Sequence, residues 1–195
     1  MSYLWHFQTF SLPKLQSYLG SDDQSKQDAL LNAVLWDDLG EEGDELEKAA
    51  RRIATQGLDY TGLDADEAEM TDEIVKMLPT PEGLEQEIEL EYESDDGLHP
   101  NVVDELVKRA GASAGLSILP LLQSGRRYGQ AQPANCEYCI FDLDELATLQ
   151  GEVEQAMAQP GDWSASYVPE VIKECLLTPV HAARSKGKAL FGLLG

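Results

Sequence analysis

Three short β-favouring segments lie far apart in a chain whose other periodic stretches are helical, and that order limits the fold more than any other feature. Residues 4–10 (Leu4-Trp5-His6-Phe7-Gln8-Thr9-Phe10) alternate and are rich in aromatics, with Tyr3, Trp5 and Phe7 on one face. Residues 84–93 show a clear period of two, and residues 137–141 form a third short run. Between them stand helical patterns. One opens at Ser11 and Pro13 and closes at Gly20, and a second, capped by Ser21, runs to about Trp36. Others run from Asp44 to about Gly57 and from Asp64 to Leu78, and Asn101 caps one that Gly111 ends. Asp142 with Glu145 makes a capping box for a helix to about Ala158, and Val168 to Leu177 and Pro179 to Lys186 form a last pair. Residues 112–134 mix apolar residues with Gly, Ser and Pro and read as irregular or partly helical. Single strands separated by runs of helices exclude a regular βαβ alternation and a repeat array. The expectation is an α+β fold, helix-rich, with a small, mostly antiparallel sheet of about three or more short strands packed against helices. At 195 residues the chain reads as one domain over 1–195.

Charge narrows the partners. The chain holds 36 acidic and 14 basic side chains, net −22, with a pI near 4.2. Residues 1–100 carry 25 acidic and 6 basic groups, net −19, whereas residues 101–195 carry 11 and 8, net −3. The single domain therefore has an acidic half and a near-neutral half. Free nucleic acid is not expected as a partner, because phosphate binding needs a basic surface. Adsorption to anionic lipid is disfavoured for the same reason. No apolar run reaches the length of a membrane span, and residues 1–7 lack the pattern of a signal peptide. Three cysteines cannot all pair, so reduced thiols and a cytoplasmic location are expected.

The sharpest local feature is the run from Glu85 to Glu93. In a strand, Glu85, Glu87, Glu89, Glu91 and Glu93 would share one face about 7 Å apart, with Ile88, Leu90 and Tyr92 toward the core. Such a ladder is either a solvated, aggregation-resistant strand face or a negative strip that engages a basic protein partner. It does not suit a metal, since parallel carboxylates on a flat face do not converge on one ion.

Other candidates carry chemistry less directly. Cys136-Glu137-Tyr138-Cys139 runs into a predicted strand rather than a helix N-terminus, which disfavours a redox pair. Cys136, Cys139, Cys175 and His181 form an alternative zinc set, although no second C-x-x-C is present, and buried thiols with no cofactor are the expectation. Phe141-Asp142-Leu143-Asp144 resembles the D-x-D signature of haloacid-dehalogenase-type phosphotransferases, which implies Asp142 as nucleophile and Asp144 as acid/base. The Gly-Thr that follows in that family is replaced by Glu145-Leu146, and the capping box already accounts for Asp142 and Glu145. The acidic run from Asp64 lacks the glycine and terminal glutamate of a calcium loop. None of His6, His99 and His181 lies in a nucleophile motif.

Two basic spots interrupt the acidic background. Ser124-Gly125-Arg126-Arg127-Tyr128-Gly129 could form an anion-binding loop through Arg126, Arg127 and Tyr128, or a turn whose arginines pair with nearby acids. At the C-terminus, Arg184, Lys186 and Lys188 precede the apolar run 189–194, a segment expected to dock on the protein's own core. The functional expectation is a non-enzymatic interaction module that presents a carboxylate-rich face to a basic protein. Its alternatives are a small-ligand binder or enzyme built on the Arg126, Arg127 and Tyr128 loop, and acidity as an adaptation to salt or for solubility.

Overall fold

The computed structural model describes residues 3–35, 43–78, 84–92, 96–111, 117–130, 132 and 134–195. In chain order its elements are β1 (Trp5–Phe10), α1 (Leu12–Gln16), α2 (Gln24–Val34), α3 (Gly43–Gln56), α4 (Ala65–Met77), β2 (Glu91–Tyr92), α5 (Pro100–Ala110), α6 (Leu121–Ser124), β3 (Tyr138–Phe141), α7 (Leu143–Ala158), α8 (Val168–Ile172), a π-helical turn (Lys173–Leu177), α9 (Thr178–Lys186) and β4 (Ala189–Leu194). The chain is α+β. It divides into two compact units, one formed by 1–10 with 91–195 and the other by 11–90. The second is inserted between β1 and β2, so the division does not follow the charge boundary near residue 100.

The split unit is built on a four-stranded antiparallel sheet in the order β2-β1-β4-β3. The C-terminal segment is one of its two central strands: Trp5 to Phe10 pair with Leu194 to Ala189, and Phe141 to Tyr138 pair with Leu190 to Leu193. Alternation places Trp5, Phe7, Cys139, Phe141 and Leu190 in one core with Leu106, Leu149, Val153, Ile172, Leu176 and Val180 from the helices. Phe10, Tyr138, Ile140 and Phe191 take the opposite face, where the Phe191 ring stacks on Tyr138 at 6.1 Å and meets Phe10 edge-on at 6.4 Å.

Local chemistry explains the helix ends. Asp142 accepts the Glu145 N–H at 2.9 Å and Glu145 accepts the Asp142 N–H at 3.1 Å, the reciprocal capping box read from the sequence. The same pattern, Asp64 with Glu67, opens α4. Two caps differ from expectation. His99, not Asn101, caps α5, its Nδ1 accepting the Asn101 N–H at 3.1 Å; Pro100 takes the first helical position, where no N–H is needed. Asp23, not Ser21, caps α2 by accepting the Ser25 N–H, while Ser21 Oγ accepts the Asp23 N–H. The expected break at Pro179 is also absent. A proline that lacks an N–H and crowds the carbonyl four residues back is accommodated by the π-helical turn, in which the Thr178 N–H and hydroxyl both donate to Lys173 O.

In the 11–90 unit, Leu30, Val34, Leu46, Ile53, Ile74 and Val75 are buried together with Ala33, Ala49, Ala50, Ala54 and Ala68, whose small side chains allow close helix approach. The strand predicted over 84–93 is not formed. Leu84 and Ile88 are buried at helical spacing, the Ile88 N–H donates to Leu84 O at 2.9 Å and the Leu90 N–H to Glu85 O at 2.9 Å, so the segment coils into turns. It leaves that turn through Glu89, which stands at φ 55, and among its described residues only Glu91–Tyr92 pair as strand. The same apolar residues satisfy both periods over so short a run, and burial of the Leu84 and Ile88 pair selects the turn.

Candidate functional site

The glutamate ladder does not exist as one face. Glu85 is half-buried, Glu87 and Glu89 are exposed on the turn, and Lys14 Nζ lies 2.7 Å from Glu89 Oε1. Glu91 belongs to β2 of the other unit, and Glu93 lies outside the described residues. Glu91 is engaged by the basic C-terminal segment instead: Lys186 and Lys188 donate to its two oxygens at 2.6 and 2.7 Å. Those two ammonium groups hold the carboxyl down at about 2. A depressed carboxylate contributes stability above its unfolded value, and the contribution disappears as pH falls from near 4.5 toward 2. Because the side chain is 46% exposed, solvent limits the contribution to about 1 kcal/mol or less. Glu91→Gln should therefore differ from wild type in urea denaturation at pH 6 by that amount, with the difference closing by pH 2 and shrinking in molar salt.

The basic loop is built into the fold. Arg126 is 8% exposed. Its Nη1 and Nη2 pair with the two oxygens of Glu145, its Nη2 also donates to Ile140 O, and its guanidinium carbon lies 5.5 Å from the Phe141 ring centroid. Burial works against the cation, but the Glu145 carboxylate outweighs it and the net shift of the Arg126 pKa is upward. An anion-binding role needs a guanidinium free to meet a ligand, and this one is committed to a carboxylate and a carbonyl. Arg127 and Tyr128 are half-buried, and the Tyr128 N–H donates to the Tyr138 hydroxyl at 3.3 Å.

The proposed zinc ligands do not gather. Cys136 and Cys139 donate weakly to Tyr138 O and Leu121 O, each at 3.4 Å, while Cys175 is buried in the apolar core. His181 is exposed, with Nε2 3.9 Å from Glu154. Burial pushes the Cys139 thiol up, and neighbouring Cys136 adds to it, the reverse of what a metal ligand or reactive thiol needs. Among the described residues, no three His, Cys, Asp or Glu side chains are placed to hold a metal ion.

The feature that remains is the acidic surface of the 11–90 unit. It holds 21 acidic and 6 basic side chains, net −15, leaving −7 for the rest of the chain. Of its 16 described carboxylates, 11 are exposed, four are half-buried and one, Asp72, is buried. The buried one accepts a hydrogen bond from the Tyr60 hydroxyl at 3.0 Å. Asp44 and Glu45 occupy the first turn of α3, and Asp66 and Glu67 that of α4, where the helix dipole favours them. These turns border a cleft of about 420 Å³ lined by Glu45, Asp64, Asp66 and Glu67, with Ala49 and Met70 as apolar wall and Lys48 and Arg52 as the cations. Arg52 is occupied by Thr71 Oγ1 and Asp59 O. Of the five glutamates named from the sequence, Glu85, Glu87 and Glu89 belong to this unit, and Glu87 and Glu89 are among its exposed carboxylates. Counting charge between Phe10 and Glu91, rather than by halves, would have found the whole surface.

The fold and surface together define an α+β protein with an acidic helical insertion. No protein-family model, curated protein or solved structure matches the chain. Among the described residues, no helix is long and apolar enough to cross a membrane.

Proposed function

We propose that this chain is a non-enzymatic interaction module whose 11–90 unit presents a carboxylate surface to a basic protein. One observation carries the reading: 11 of the 16 described carboxylates of that unit are exposed, against 6 basic side chains in all 80 residues. Charge of one sign spread over a small unit raises the local concentration of an oppositely charged partner and speeds encounter. The reading also places the protein in the reducing cytoplasm, which fits three buried cysteines that form no disulfide.

The test uses the full chain and a lysine- and arginine-rich peptide as probe. Binding is expected at low ionic strength and should fall steeply toward molar salt. Replacing Asp44, Glu45, Asp66 and Glu69 by their amides should slow association roughly tenfold or more, the scale of electrostatic steering. The same change at Asp144, Glu154, Glu170 and Glu174 should leave it near the wild-type rate. Equal losses from both sets, or no binding at low salt, would remove the basis for the proposal.

A further inference from the structure

Arg126 presents a buried cation where a loop arginine is ordinarily solvated, and its position relative to the sheet shows what it does. β3 is an outer strand, bonded on one side to β4. Glu137 O accepts the Leu194 N–H at 2.8 Å, so residues 137, 139 and 141 bond inward, and Tyr138 and Ile140 turn their backbone groups away from the sheet. Both outward carbonyls are taken by the same residue. The Arg126 N–H donates to Tyr138 O at 2.9 Å, and the Arg126 guanidinium donates to Ile140 O. Glu145 fixes the guanidinium through both Nη atoms, while its Nε has no acceptor among the described residues.

The strand so covered is Tyr138-Cys139-Ile140-Phe141, uncharged and composed mostly of β-favouring residues. An open edge of that composition recruits another strand. The partner with matching chemistry is the identical strand of a second copy, paired antiparallel across a two-fold axis, since such a contact is self-complementary. We propose that Arg126 is an edge guard: it occupies the outward carbonyls of β3 and thereby prevents β3-to-β3 pairing between two copies of this chain. Arginine suits the task because its rigid planar fork holds donors toward a carbonyl and a carboxylate at the same time. The inference is independent of the acidic surface and its partner.

The experiment is sedimentation velocity of the full chain over a range of concentrations, with folding checked by near-UV circular dichroism. Arg126→Met frees the Ile140 carbonyl, leaves the backbone bond to Tyr138 O in place, and keeps an apolar side chain over Phe141. Leu149→Ala serves as a destabilised control, with its cavity in the core and Arg126 intact. The expected result is a concentration-dependent doubling of mass for R126M relative to wild type, with an infrared amide band of intermolecular antiparallel strands. L149A should sediment as wild type does. Folded R126M sedimenting like wild type, or L149A associating to the same degree, would overturn the proposal. If R126M does not fold, Arg126→Lys takes its place with the same two outcomes, its single ammonium drawn to Glu145 and the Ile140 carbonyl left open.

Discussion

Gly125→Ala should cost about 4 kcal/mol or more and lower the melting temperature by roughly 10 °C. Gly125 stands at φ 68, ψ 171, a region that only glycine occupies readily, and forcing another residue there costs on the order of 1–3 kcal/mol. The larger difficulty is contact. A Cβ at this position would lie 1.7 Å from the Cys136 carbonyl oxygen and 2.6 Å from its carbon. Both are backbone atoms, so no rotamer change relieves the overlap. Moving the chain would break the Cys136 N–H to Ser124 O and Arg126 N–H to Tyr138 O bonds that hold the segment on β3. Gly111 supplies the comparison. It ends α5 at φ 61 with nothing within 4 Å of its virtual Cβ, so Gly111→Ala should cost only about 1 kcal/mol. Thermal unfolding of the two variants side by side separates strain alone from strain with collision; equal losses would show that the Cys136 contact does not matter.

Arg126→Ala is expected to destabilise by about 3–5 kcal/mol, as when one partner of a buried ion pair is removed. The substitution leaves Glu145 without its cation and Ile140 O without its side-chain donor. Glu145→Gln should cost less, about 1–2 kcal/mol, because its side chain is 26% exposed and the amide oxygen still accepts from Arg126. The two changes act on one contact, so their effects should fall short of additive by about 1–3 kcal/mol in a double-mutant cycle followed by urea denaturation. Additive losses would mean that Arg126 acts mainly through Ile140 O and its packing on Phe141.

Local signals in the sequence were sufficient where one residue type served one purpose. Asp142 with Glu145 is the capping box read from the sequence, and Asp64, read as an N-cap, forms a second one with Glu67; the partners lie within four residues, so sequence neighbours already specify the geometry. Trp5 to Phe10 and residues 138–141 read as strands because no helical pattern competes there. The segment 84–93 failed for the opposite reason: Leu84, Ile88 and Leu90 fit two periods, and only burial chooses between them. The apolar tail at 189–194 was legible as a segment that docks on the core. Its place between β1 and β3 was not, because strand pairing over nearly 190 residues leaves no local mark.

The same division applies to the candidate sites. By itself the sequence determined the α+β class, the excess of carboxylate and the positions of the basic clusters, since these depend on composition and short-range period. Tertiary structure alone decided what each charge meets. It turned Arg126 inward to Glu145 and Ile140 O, set Lys186 and Lys188 on Glu91, and left most carboxylates of the 11–90 unit in solvent. The reason is physical: a charge's role depends on its distance to other groups and on its burial, and both are set by contacts between residues far apart in the chain.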